Sequence, residues 1–376
     1  MTRILHCADL HLEASFAGQG LPPALARQRR ADLRQALARI VGLAREHRVD
    51  ALTIAGDLYE QDLAAPDAGA FLAQQLASLD PVPVFIAPGD RDPLDGDALY
   101  ALTDWPANVH IFQPGPLASA EVGPGVYLWG AAHAPDSGQD ILGGPRAGQA
   151  GTNLLLLHAA WTREDGQGLL RLEGGALQQA GFAAALLGHE HQGRIWQEGG
   201  VHCVYPGSPE PLGWADAEGE HLAVLVTVDG SACRLQKVPT SRWRYLELRV
   251  DISGCASREE LAGLVAARLR SAPGTVDGCT IGRVVLDGVR RFEVDPQFLA
   301  RRVGTEAHLQ YVLEFGDAYD LAALAQEPSV RGLLVRRFQD VLATPQSDAE
   351  RRTTLAALNL ALRAMEGRKV GLDADR

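Results

Sequence analysis

Ile4-Leu5-His6-Cys7-Ala8-Asp9-Leu10-His11 sets an apolar, strand-like run directly against two groups able to bind a metal, Asp9 and His11. The arrangement recurs along the chain. Ala51-Leu52-Thr53-Ile54-Ala55 closes on Gly56-Asp57, and Val84-Phe85-Ile86-Ala87 leads into Gly89-Asp90-Arg91-Asp92. Leu154 to Leu157 precede His158, and Ala183 to Leu187 precede Gly188-His189-Glu190-His191. Buried strands that present carboxylates and imidazoles at their C-terminal ends are how an α/β fold gathers ligands from distant sequence into one crevice. One Asp-x-His is a weak signal; five such clusters in this order are a strong one.

Around these clusters, the first 240 residues or so alternate short apolar strands with helices. Leu25 to His47 reads as a helix whose apolar stripe is Leu33, Leu37, Ile40, Val41 and Ala44. Arg27, Arg29, Arg30 and Arg34 fall on its other face, as solvated residues or, alternatively, as contacts to a DNA backbone. Ala68 to Leu79 reads as a second helix. Strands expected at Gly125–Trp129, Val201–Tyr205 and Leu222–Val228 lack helices long enough for every crossover, which suggests a mixed or antiparallel second sheet. Two central sheets with outer helices fit this order.

The character changes near Val238-Pro239-Thr240-Ser241, so domains are expected at 1–240 and 241–376. The second reads as a small α+β unit: strands at Tyr245–Val250, Ile281–Leu286 and Leu309–Phe315, and helices at Ser257–Arg270, Val330–Leu342 and Asp348–Met365. Ser257 with Glu260, and Ser347 with Glu350, are capping-box pairs at two helix starts.

The clusters suit a two-metal centre. Two divalent cations roughly 3.5–4 Å apart can orient a hydroxide against phosphorus and stabilise the leaving oxygen. Such a centre needs a bridging carboxylate, and Asp57 is the natural candidate. Mixed Asp and His ligands suit manganese, zinc or iron better than magnesium or calcium. Asp9, His11, Asp57, His189 and His191 have poor structural explanations at strand ends, whereas His158 alone could be a satisfied core histidine. His6, His47, His110, His133, His202, His221 and His308 lack ligand spacing and read as ordinary.

Composition bounds the remaining possibilities. The five cysteines are scattered without a CxxC pair, so neither a zinc knuckle nor a disulfide framework is indicated. Arg3, Asp9 and His11 interrupt the apolar stretch a signal peptide needs, and no run approaches a membrane span; a cytoplasmic location without membrane contact is expected. With 35 Lys+Arg against 47 Asp+Glu the net charge is −12. Between Ala51 and Tyr100, Arg91 is the only base. No global basic surface exists to hold DNA through its phosphates, so DNA binding would need local patches, the metals, the second domain or a partner. Arg331, Arg336, Arg337, Arg351 and Arg352 are candidate contacts in that domain.

These motifs resemble the calcineurin-like metallophosphoesterases, whose pattern is D-x-H, GD, GNH[DE], H and GHxH. His6 to Leu12, Gly56-Asp57-Leu58-Tyr59 and Tyr205-Pro206-Gly207-Ser208-Pro209 resemble the SbcD/YhaO-type DNA repair exonuclease branch in particular. The resemblance implies a four-layer α/β/β/α sandwich with a small C-terminal α+β capping domain. It implies one metal at Asp9, His11, Asp57 and His191, and another at Asp57, Asp90, His158 and His189, with manganese the usual ion. It further implies hydrolysis of DNA phosphodiesters, and an SbcC-type coiled-coil ABC ATPase and a homodimer as partners. A phosphodiesterase acting on nucleotides or other small esters, and a catalytically weak scaffold subunit, are the alternatives. One departure stands out. The family's GNH[DE] reads Gly89-Asp90-Arg91-Asp92 here, and Arg91 cannot donate a proton near neutral pH, although its N–H fork can stabilise charge on a phosphate.

Overall fold

The structure, a computed structural model, describes residues 1–134, 150–161, 172, 174–217, 219–272, 279–303, 308–317, 319–344 and 347–367. Its first elements are β1 (Thr2–Cys7), α1 (Pro23–Glu46), β2 (Ala51–Ile54), α2 (Ala68–Ala77), β3 (Val84–Ile86), α3 (Leu99–Leu102), β4 (Val109–Ile111), β5 (Ala118–Gly123) and β6 (Val126–Gly130). There follow β7 (Thr152–His158), α4 (Gly174–Gln179), β8 (Phe182–Gly188), β9 (Arg194–Glu198), β10 (Val201–Tyr205), β11 (Leu222–Asp229), β12 (Ala232–Pro239) and β13 (Trp243–Asp251). Met1–Tyr245 forms one compact unit and Leu246–Arg376 a second, the division falling inside β13.

Two six-stranded sheets build the first unit, in the orders β12-β11-β1-β2-β3-β4 and β5-β6-β7-β8-β10-β9. From β1 to β4 all pairings are parallel. In the second sheet β6, β7, β8 and β10 run parallel, with antiparallel strands at both edges. The mixed second sheet is as expected, but β11 does not belong to it. That strand returns to the first sheet and pairs antiparallel with β1, Leu5 opposite Leu225.

Strand alternation sorts the apolar residues into three cores. Leu5, Cys7, Leu52 and Ile54 pack beneath Leu37, Ile40 and Val41 of α1 and Leu72 and Leu76 of α2. Ile4, Ala55, Leu154, Leu156, Leu186 and Val226 fill the space between the sheets. Leu155, Leu157 and Leu187 face the other way, against Leu177 of α4. Helices, sheet, sheet and helix therefore stack as four layers.

The arginines of α1 correct the solvated-face reading. Arg29 is fully buried, its guanidinium between the rings of Phe16 and Trp243 and 3.7 Å from Glu210. Arg30 and Arg34 both pair with the buried Glu13, two residues beyond His11. Of the four, Arg27 alone is exposed without a described partner. A buried carboxylate needs such partners, and a helical pattern carries no sign of where they lie.

The second unit continues with α5 (Arg258–Ser271), β14 (Cys279–Asp287), β15 (Val289–Arg290), α6 (Pro296–Val303), β16 (His308–Leu313), β17 (Gly316–Asp317), α7 (Leu321–Gln326), α8 (Val330–Leu342) and α9 (Asp348–Met365). β13, β14 and β16 form its sheet, under which Leu261, Val265 and Leu269 of α5 pack against Val284 and Leu286. Ser347 and Glu350 make the full reciprocal capping box. At α5 only half forms, since Glu260 reaches Ala256 N–H instead of Ser257. Arg331 pairs with Glu327 and Arg336 donates to the carbonyl of Ala325, while Arg337 and Arg351 are exposed. The side chain of Arg352 lies outside the described residues.

Candidate metal centre

β1, β2 and β3 of one sheet and β7 and β8 of the other all end at the same edge, and their ends carry the clusters. The loops beyond β1 and β2 run side by side: Asp9 N–H donates to Gly56 O (3.1 Å) and His11 N–H to Asp57 O (2.9 Å). The turns are tight enough to strain the backbone. Asp9, His11, Asp57 and His189 have φ of 53°, 45°, 49° and 107°, a region L-residues avoid and which persists where surrounding structure over-determines it. Gly188 is required by crowding, since a Cβ there would lie 1.8 Å from Ala55 O.

All seven expected ligands come together. Ligand atoms of Asp9, His11 and His191 lie within 4.8 Å of one another, as do those of Asp90, His158 and His189. Asp57 stands between the two groups, with Oδ2 3.5 Å from His11 Nε2 and Oδ1 3.6 Å from His158 Nε2. A further overlapping group, Asp9, Asp57 and His158, marks how closely the two sides approach.

Each of three imidazoles has its outer nitrogen engaged. His11 Nδ1 donates to Glu60 (2.6 Å), His158 Nδ1 to the carbonyl of Ala55 (3.0 Å), and His191 Nδ1 faces Asp216 (3.4 Å). Carboxylate acceptors behind His11 and His191 fix their tautomers and aim the Nε2 lone pairs inward, whereas His158, held on Nδ1 by Ala55, meets Asp90 Oδ1 through Nε2 at 2.9 Å. His11 Nε2 then meets His191 Nε2 at 3.1 Å. Two lone pairs at that distance repel unless a proton or cation lies between them, so the donor set fits a metal.

Electrostatics agree. Burial pushes Asp9 upward, and burial together with the charge of Asp57 does the same to Asp92. Burial opposes protonation of His158 and His191 but is outweighed, by Asp90 for the first and Asp216 for the second, helped in both by Asp9 and Asp57. The hydrogen bond from His158 holds Asp90 well below the usual carboxylate range.

Several supporting residues escaped the sequence reading. Asp92, fully buried, accepts the N–H groups of Asp57 (2.9 Å), Leu58 (2.9 Å) and Gly89 (2.6 Å) and the hydroxyl of Tyr100 (2.6 Å). It thereby ties the turn of β2 to that of β3, and its place at the end of Gly89-Asp90-Arg91-Asp92 was the available signal. Glu60 stands three residues past Asp57, but Asp216 had no local signal at all. His6, read as ordinary, is buried between Thr53 Oγ1 (3.1 Å) and Leu187 O (3.2 Å), linking β1 and β2 to β8 across the two sheets. The Arg91 side chain is 62% exposed, with Nε 3.8 Å from Asp90. It lines a cleft of about 740 Å³ together with Glu60, Leu63, Glu190, Leu212 and Asp216.

Residues 2–193, just over half of the chain, match the family model of calcineurin-like phosphoesterase. The chain belongs to that family. The calcineurin-like phosphoesterase described here is 36% identical over 112 residues to the uncharacterized metallophosphoesterase YhaO of Bacillus subtilis (strain 168). That match covers 29% of this chain and 27% of YhaO, so it spans about a quarter of the relative's length. Among solved structures, it is similar to TT1561 of Thermus thermophilus (14% identity, TM-score 0.40, covering 63% of this chain and 98% of that one). It is also similar to a dimetal phosphatase from Danio rerio (12% identity, TM-score 0.39, covering 64% and 99%).

The match makes residues 2–193 a calcineurin-like phosphoesterase domain. Bound divalent ions supply Lewis acidity toward a phosphoryl oxygen and activation of water. In this chain Asp57 lies between two histidine-bearing groups, the imidazoles of His11, His158 and His191 are held by Glu60, Ala55 and Asp216, and Arg91 lines the cleft. Among the described residues, no helix is long and apolar enough to cross a membrane.

Proposed function

We propose that this calcineurin-like phosphoesterase is a two-metal phosphodiesterase that cuts DNA as an exonuclease in repair or recombination, in the cytoplasm. The observation that carries the two-metal part is Asp57, whose two oxygens face His11 on one side and His158 on the other at nearly equal distance. Asp9, His11 and His191 serve one ion; Asp90, His158 and His189 serve the other. The mixed oxygen and nitrogen donors favour manganese, with zinc or iron able to replace it. The DNA part is supported by the stretches His6 to Leu12, Gly56 to Tyr59 and Tyr205 to Pro209, which resemble the SbcD/YhaO branch. With a net charge of −12 the chain engages DNA together with an SbcC-type ATPase, and as a homodimer.

The cleft itself favours a second reading. Glu60, Glu190 and Asp216 line it with Arg91 as the one arginine or lysine among the described lining residues, a wall that suits a small phosphodiester better than a polyanion. One assay separates the readings: purified protein with Mn²⁺ is offered linear duplex DNA and bis-p-nitrophenyl phosphate in parallel. Degradation of both supports the nuclease; hydrolysis of the small ester alone supports the second reading; neither would leave a metal-binding scaffold.

A further inference from the structure

Glu13 is a buried carboxylate that the metal-binding groups do not use. It is 3% exposed and stands two residues beyond His11. Its φ is 72°, so the alternate residues Asp9, His11 and Glu13 are all left-handed. Residues other than glycine persist there where their surroundings over-determine them. For Glu13 those surroundings are two arginines. Arg30 reaches Oε2 with Nε (2.8 Å) and Nη2 (2.6 Å), and Arg34 reaches Oε1 with Nε (2.7 Å) and Nη2 (2.5 Å). Each oxygen thus takes a two-nitrogen fork from a different guanidinium, a strong geometry for a carboxylate. The two arginines are neighbours one turn apart on α1, and Leu37 and Ile40 pack that helix onto the first sheet.

The same arginines extend the tie to the loop beyond β2. Arg30 Nη2 donates to Leu63 O (3.0 Å), and Arg34 Nη1 to Asp67 Oδ2 (2.7 Å). Between the two loops, Leu12 N–H donates to Leu58 O (3.0 Å) and Glu60 N–H to Leu12 O (2.9 Å). His11, and the Glu60 carboxylate that accepts from its Nδ1, therefore lie on two backbone segments bonded to each other and held to one helix. Desolvation offsets much of the attraction in a buried ion pair, so stability alone is a weak reason for Glu13 to be here.

We propose that Glu13 is a positioning residue that acts through His11: clamped by Arg30 and Arg34, it fixes the turn that aims His11 and keeps that ring in reach of Glu60. The inference rests on the two-metal reading of the site. Asp57 and Asp90 are outside the clamp, because Asp92 separately holds the N–H groups of Asp57 and Gly89. His158 and His189 follow strands of the second sheet. The effect of Glu13 is therefore unequal, falling on the Asp9–His11–His191 group and sparing the other.

The test compares the full chain as wild type, Glu13→Gln and Arg30→Gln. Equilibrium dialysis with Mn²⁺ gives the affinity for each of two ions, and hydrolysis of bis-p-nitrophenyl phosphate is followed as Mn²⁺ is raised. Glu13→Gln keeps the shape of the side chain without its charge. It is expected to weaken one ion roughly tenfold or more, the scale on which groups behind a metal ligand act, and to leave the other at wild-type affinity. Hydrolysis should recover at high Mn²⁺, because the loss is in occupancy. Arg30→Gln removes a side chain that is 41% exposed and leaves Arg34 on the carboxylate; it should weaken the same ion, and it decides the matter if Glu13→Gln fails to fold. Wild-type affinity for both ions would overturn the assignment. So would equal weakening of both, which would make the clamp a support of the fold alone. A wild-type chain that binds fewer than two Mn²⁺ ions would instead remove the two-metal reading, and this inference with it.

Discussion

Asp57 faces a different group with each of its oxygens, and that division sets what its loss would do. In Asp57→Ala both candidate groups lose a shared donor, so hydrolysis should disappear and bound metal should fall on both sides; retention of full metal content would refute the bridging role. Arg91 is a different case. Its exposed fork lies beside Asp90, positioned to stabilise charge but unable to protonate a leaving alkoxide. Arg91→His should therefore raise turnover on DNA and do much less for a nitrophenyl ester, whose leaving group departs unaided. Arg91→Ala should lower both. Should Arg91→His prove no better than Arg91→Ala on DNA, arginine is the adapted residue here. Asp92 acts through structure. Truncating it to Ala strands four buried donors, which is expected to cost at least about 3 kcal/mol in urea unfolding. The ligands were legible residue by residue because Asp and His at the ends of apolar runs have no ordinary reason to be there. Glu60 and Asp216 were not, because what distinguishes them is a neighbour distant in sequence.

Elements show the same boundary between what pattern reveals and what it hides. Val201–Tyr205, Val330–Leu342 and Asp348–Met365 stand where periodicity and capping placed them, whereas α6 and α7 are too short for a stripe to declare itself. His6 reveals a link between elements that no periodicity encodes, a buried imidazole bonded to β2 and to the end of β8. Burial lowers it from 6.5 to about 4, against the partial help of its two hydrogen bonds. The folded pKa lies below the unfolded one, so the neutral ring favours folding fully above pH 6.5, and that contribution drains away as pH falls toward 4. The difference amounts to about 3 kcal/mol. Comparing urea unfolding at pH 7 and pH 4.5, the wild type should lose more stability than His6→Gln; equal losses would show that the imidazole contributes nothing to the acid response.

For the whole molecule, the division after Tyr245 suggests where to cut. Trp243 and Tyr245 belong to the first unit, donating to Asp32 (2.8 Å) and to Gln19 (2.7 Å), so a chain ended at Tyr245 keeps them. If DNA engagement depends on the second unit, that chain should still hydrolyse bis-p-nitrophenyl phosphate while losing most cutting of duplex DNA. Equal loss on both would mean the region serves folding alone. The path of β11 was the least legible feature at this scale, because a run of alternating apolar residues does not name its neighbour. Its return beside β1 matters most while the protein is being made. Every candidate ligand has been synthesised by His191, yet Asp216, which backs His191, and β11, which completes the flank of β1, are still to come. A ribosome paused between these points would carry a chain with all its metal-binding groups and one side of its central strand bare. Such a nascent chain would carry its histidines and carboxylates before the strand that flanks β1 and the carboxylate behind His191 had been made.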